Sequence, residues 1–64
     1  MKRVKQILHD GVSYCIAKTT PSERADGLNN YLVFFTTEYK YGEGCRSPEW
    51  DTGTLAEALE FINS

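Results

Sequence analysis

Between Val4 and Ile16 two runs rich in apolar and β-branched residues are separated by the polar turn pair Asp10-Gly11. Such runs on either side of Asp-Gly predict a β-hairpin. Two registers compete. A two-residue loop pairs Ile7 with Tyr14 and Leu8 with Ser13, which scatters apolar side chains over both faces. A three-residue loop of His9, Asp10 and Gly11, with Gly11 left-handed, pairs Leu8 with Val12 and Val4 with Ile16. It gathers Val4, Leu8, Val12, Tyr14 and Ile16 on one face. A slip of one residue would send a strand's apolar set to the opposite side, so the segregating register is expected.

The next segment, PSERADGLNN (21–30), has only Leu28 as a large apolar residue and reads as a loop. YLVFFTTEYKY (31–41), rich in aromatic and β-branched residues, predicts the longest strand. Tyr31, Val33, Phe35, Tyr39 and Tyr41 share one face by parity, and Leu32 and Phe34 begin the other. Five consecutive apolar residues predict that its first half is covered on both sides. GEG (42–44) turns the chain, and CRSPEW (45–50) returns as an edge strand, because Pro48 has no amide hydrogen for a ladder.

TGTLAEALEFINS (52–64) carries a helix start, with Thr54 as N-cap and Glu57 as its capping-box partner. Leu55, Ala58, Leu59 and Ile62 form one stripe, with Glu57 and Glu60 away from it. A ten-residue helix is about 15 Å long and needs a surface to dock on. The expected fold is α+β: a single domain, residues 1–64, with an antiparallel sheet of three to four strands and one C-terminal helix packed on one face.

Size limits what such a chain can do. A chain of 64 residues is one domain, and at this length only about 60% of the unfolded surface is buried. The segment MKRVKQILHDG has no apolar signal run, and no stretch approaches a membrane span. A cytoplasmic protein with both cysteines, Cys15 and Cys45, as free thiols is expected. The net charge is -2, which argues against binding to nucleic acid by bulk electrostatics. Its distribution is uneven. Lys2, Arg3, Lys5 and Lys18 lie early, and Glu43, Glu49, Asp51, Glu57 and Glu60 lie late.

No motif carries chemistry. His9 reads as a surface residue of the first turn, with a side chain pointing away from Asp10. Cys45 beside Arg46 lacks an activating base, and the acidic residues form no acid-base pair. The glycines match no phosphate-binding loop, and one histidine with two distant cysteines is not a metal set. No enzymatic activity, metal or cofactor is expected.

The feature that stands out is aromatic: Tyr31, Phe35, Tyr39 and Tyr41, with Lys40, Arg46 and Trp50 nearby. One short helix covers one face of a sheet. If the helix takes the hairpin face with Leu32 and Phe34, the odd-numbered aromatic set stays open with Ile7. If it takes the odd set, Leu32, Phe34, Ile7 and Cys15 stay open. Aromatic side chains bring about 150–250 Å² each, and contiguous apolar patches of a few hundred Å² mark interaction surfaces. Tyr31, Phe35, Tyr39, Tyr41, Arg46 and Trp50 are therefore the candidate binding residues.

The expected function is a non-catalytic protein-binding module that docks on another protein or on itself as a homodimer. Inhibitors, antitoxins and phage-encoded host-takeover or anti-defence factors act in this way. The alternative is a single-stranded nucleic-acid binder that stacks bases on Tyr39 and Tyr41 beside Lys40 and Arg46. YLVFF, Gly44-Cys45 and GTLAEALEFI resemble in outline the strand, Gly-Cys and helix-start pattern of HicB-like antitoxins, small proteins that bind and silence a toxin. The likeness spans roughly half of the chain. The family's prolines after the strand are missing and the spacing from Gly44-Cys45 to Thr54 is longer, so no residue's role carries over.

Overall fold

The computed structural model describes residues 1–39 and 48–63. β1 (Lys2–His9) and β2 (Val12–Lys18) form the hairpin, a short helix α1 (Pro21–Ala25) follows, and β3 (Tyr31–Phe35), β4 (Trp50–Thr52) and α2 (Leu55–Asn63) complete the chain. All neighbouring strands are antiparallel, in the order β1-β2-β3-β4. The expected α+β architecture is therefore present, with four strands and a C-terminal helix against the sheet.

The hairpin takes the two-residue loop, not the three-residue one. His9 pairs with Val12, Leu8 with Ser13 and Ile7 with Tyr14, and the register shifts between Arg3 and Lys5. Asp10 and Gly11 have φ of 52° and 76°, the two left-handed residues of a type I′ turn, whose twist matches that of the strands. Segregation does not decide the register, because this sheet buries apolar side chains on both faces and placing them on both sides carries no penalty.

On one face lie Tyr14 and Ile16 of β2, Tyr31, Val33 and Phe35 of β3, and Trp50 of β4, by the register of the pairs. α2 packs here, with Ala58 and Ile62 buried against Ile16 and Val33 and with Leu55, Leu59 and Phe61 half-buried around them. The helix begins as expected. The Thr54 hydroxyl accepts from the Glu57 amide at 3.2 Å, and the Glu57 carboxylate accepts from the Thr54 amide at 3.1 Å.

The opposite face corrects the expectation of an open apolar patch. Cys15, Ala17, Leu32 and Phe34 are all buried there, packed with Tyr39 and the half-buried Met1. β3 ends at Phe35, because residues 36–38 turn: the Glu38 amide donates to the Phe35 carbonyl at 2.9 Å, and the Glu38 carboxylate takes the Phe35 amide at 3.0 Å. After that turn strand parity no longer holds. Tyr39 swings beneath the sheet with its ring 5.5 Å from that of Phe34, and is only 3% exposed. It does not share a face with Tyr31 and Phe35. The far end of the expected strand, Lys40 and Tyr41, lies outside the described residues, as does residues 42–47 of the expected turn and return.

The expected loop at 21–30 contains a helix. Thr20 and Glu23 form a full capping box with Pro21 in the first turn. The helix ends in a Schellman motif: the Leu28 amide reaches the Glu23 carbonyl at 3.2 Å and the Gly27 amide the Arg24 carbonyl at 3.0 Å, with Gly27 at φ 105°. None of its residues is buried, so its caps hold it. Glu23 also takes the Met1 ammonium at 2.8 Å, which draws Met1 towards the lower core.

Two predictions follow from this sealed face. Phe34→Ala should cost about 3–5 kcal/mol, comparable with the whole stability of a small domain; urea unfolding followed by Trp50 fluorescence should show a chain largely unfolded without denaturant. The second concerns pH. Burial raises the Cys15 thiol above its ordinary 9.0, against the lowering effect of Arg3. Burial also raises the Tyr39 phenol above 10.0, helped by Cys15 and opposed by Arg3, whose backbone hydrogen-bonds it. Both groups stay neutral in the folded state and ionise more readily in the unfolded chain. Their contribution is complete below the unfolded values and is lost as pH rises through the folded ones. Urea midpoints should therefore fall from about pH 9 upward, and Tyr39→Phe should flatten the later part of that fall.

Candidate functional site

The six candidate residues do not form one site. Tyr31 is half-buried under α2, with the Lys18 ammonium 5.9 Å from its ring centre. Phe35 is 36% exposed and leans on Tyr14, ring centres 5.6 Å apart. Tyr39 is sealed in the lower core. Tyr41 and Arg46 lie outside the described residues. Trp50 is 52% exposed.

Trp50 is the best-built of the exposed groups. Its pairing with Val33 turns the indole to the helix side of the sheet. There it stacks on Phe61 of α2, with ring centres 5.3 Å apart and planes 4° from parallel. The cap that starts α2 fixes where Phe61 falls. The Glu57 carboxylate accepts from the amides of Gly53 and Thr54 at 3.2 and 3.1 Å and ties the helix to the end of β4. The Thr52 hydroxyl adds a bond to the Thr54 carbonyl at 2.8 Å. Strand, cap and helix therefore hold the two rings in one arrangement.

A shallow groove of about 430 Å³ runs beside this stack, bordered by Trp50, Phe61, Asp51, Glu57, Glu60 and Asn29. No basic side chain lines it among the described residues. Asn29 donates to the Asp51 carboxylate at 3.4 Å. Glu60 has no partner within the described chain, so its charge faces solvent at the groove. Phe61 escapes a reading of periodicity because it sits beside the apolar stripe and meets Trp50 only once the β4 register is known. The spacing from Glu57 to Phe61, one helical turn, is the local signal that the two share a side of α2.

A second open area lies at the hairpin end of the same face. Val12 and Phe35 are exposed there, and Ile7 and Tyr14 are half-buried at the margin of the core that α2 covers. Leu8, 74% exposed, points to the other side by the register of the hairpin.

The remaining polar candidates fall apart. His9 lies 3.6 Å from Asp10, closer than expected of neighbours in a turn. Cys15 is a free, buried thiol, and Cys45 lies outside the described residues. Glu49 does find a carboxylate neighbour. Partial desolvation, with the charge of Glu38 and a hydrogen bond to it, raises Glu49 above the ordinary carboxyl range. The pair arises because the turn after β3 meets the start of β4, which sequence spacing did not reveal. Among the described residues no three metal-binding side chains come together, and no helix is long and apolar enough to cross a membrane.

Comparison with protein-family models, curated proteins and solved structures gives no match, and the antitoxin resemblance gains no support from it.

Because Phe61 is the platform for the indole, Phe61→Ala should red-shift the emission of Trp50, the single tryptophan, and lower stability. The ring pair itself accounts for about 0.5–1.5 kcal/mol. Unchanged emission would show that Trp50 does not rest on Phe61 in solution.

Proposed function

We infer that this chain is a non-catalytic protein-binding module and that Trp50 is the anchor of its docking surface. The observation that carries the reading is the Trp50–Phe61 stack: a large aromatic side chain half open to solvent yet fixed in orientation. Tryptophan is enriched among the few residues that dominate binding energy at protein interfaces. An anchor already ordered in the free protein loses less side-chain freedom on docking. The apolar hairpin end with Val12 and Phe35 extends the surface on the same face.

Antitoxin-like, inhibitory or anti-defence roles all fit this class of action, and the partner is a protein other than a second copy. The open edge β1 carries Lys2, Arg3 and Lys5 and a register shift between Arg3 and Lys5, features that disfavour edge-to-edge pairing of two copies. Stacking of single-stranded nucleic acid has no support around Trp50, where carboxylates border the rings and would repel phosphate.

The test is affinity capture from the cells that make this protein, with the wild-type chain, Trp50→Ala and Leu8→Ser, each verified as folded by circular dichroism. A protein retained by the wild type and by Leu8→Ser but lost with Trp50→Ala is the expected result. Retention that survives Trp50→Ala, retention of nothing, or retention of single-stranded nucleic acid in place of protein overturns the reading.

A further inference from the structure

We propose that the groove beside Trp50 receives a lysine or arginine side chain from a basic segment of the partner protein. The proposal rests on the reading of the chain as a protein-binding module and adds the chemistry of what it binds.

Two independent features converge on a cation. Phe61 covers one face of the indole by parallel stacking, while half of Trp50 stays open. An open indole face carries the negative lobe of its quadrupole and attracts an ammonium or guanidinium group. Acidic side chains border the same groove: Glu57 and Glu60 from α2, and Asp51 from β4. One oxygen of Glu57 is engaged by the cap and Asp51 accepts from Asn29, which leaves Glu60 as the groove carboxylate without a partner among the described residues. The volume, about 430 Å³, lies within the roughly 300–1,000 Å³ of small-ligand sites. It accepts one long side chain while the rest of a basic segment lies across the rim.

Other occupants fit less well. Of the chain's own cations, Lys2, Arg3 and Lys5 sit on β1 at the opposite edge of the sheet from β4, Lys18 lies over the Tyr31 ring, Arg24 donates to Thr19, and Lys40 and Arg46 lie outside the described residues. A second copy that presented its β1 cations to the groove would do so head to tail, an arrangement that builds rings or open filaments. A bare metal ion lacks a set of three ligands among the described residues.

Trp50 is the single tryptophan, so tryptophan emission, excited selectively over the tyrosines, reports on the groove. The wild-type chain is titrated with an end-blocked Gly-Arg repeat peptide and with its Gly-citrulline and Gly-Glu counterparts, at about 30 and 300 mM salt. Peptide anisotropy provides a second readout for variants that lack the indole. Saturable change with the Gly-Arg peptide only, weaker at high salt, is expected. Glu60→Gln and Trp50→Leu should each weaken binding about five- to tenfold. Asp10→Asn, which removes the same charge at the hairpin tip, should leave it unchanged.

Equal binding of the citrulline peptide, equal weakening by Asp10→Asn, or no response to the Gly-Arg peptide overturns the proposal. So does a Trp50 signal that changes with protein concentration alone and is abolished by Glu60→Gln, which would give the groove to a second copy. The two readings fail separately. A captured partner that needs Trp50 but binds Glu60→Gln as well as wild type leaves the protein-binding function standing and removes the basic segment.

Discussion

The constraint on which the rest depends is the pair β2–β3, apolar on both faces. Ile16 and Val33 point one way, and Cys15, Ala17, Leu32 and Phe34 point the other, all buried. A sheet that is apolar on both sides needs two covers, and a chain of 64 residues has one helix of useful length. α2 closes the first side. The second is closed by small pieces, Tyr39 folded under by the turn at 36–38 and Met1 held by Glu23. With those residues committed to the centre, the outer strands, the hairpin tip and the end of β3 keep Leu8, Val12, Phe35 and Trp50 at the surface.

What could be read from the sequence follows from how local each signal was. α2 was legible because its capping box and its stripe lie within ten residues of one another, and both act without help from the rest of the chain. β3 was legible as far as Phe35. Beyond it, parity was extended across a turn signalled by Thr36, Thr37 and Glu38, and Tyr39 was assigned to the wrong face. The hairpin register departs from expectation for a different reason: β2 is buried on two faces rather than one, so the local preference of Asp10-Gly11 for a type I′ turn decides the pairing. α1 has no apolar period to detect. Its start and stop are nevertheless written in Thr20-Pro21, Glu23 and Gly27, which cap a helix that buries nothing. At the candidate site Trp50 was legible by residue type, but its platform was not, because Phe61 meets it only through the pairing of β3 with β4.

Sheet order also separates the charges. β1, with Lys2, Arg3 and Lys5, forms one edge, while Asp51 lies in β4 at the other with Glu57 and Glu60 on the helix beside it. The basic edge is interrupted by the register shift between Arg3 and Lys5. Lysines and a bulge on an open strand are the devices that keep sheets from pairing edge to edge. β1 is thus the guarded edge of the molecule. The acidic edge bears the exposed aromatic ring.

That ring is held by the joint it helps to make. β4 has only three residues, too few to anchor α2 by strand pairing alone. The Glu57 cap and the Trp50–Phe61 stack together fix the helix to the strand, so the stack contributes to folding before any partner arrives. The same contact orders the indole, and an ordered indole gives up little entropy when something docks on it. Stability and recognition therefore draw on one pair of rings. A substitution that buried Trp50 more deeply would strengthen the joint and remove the anchor, while one that freed it would loosen α2 from the sheet whose upper face that helix must cover.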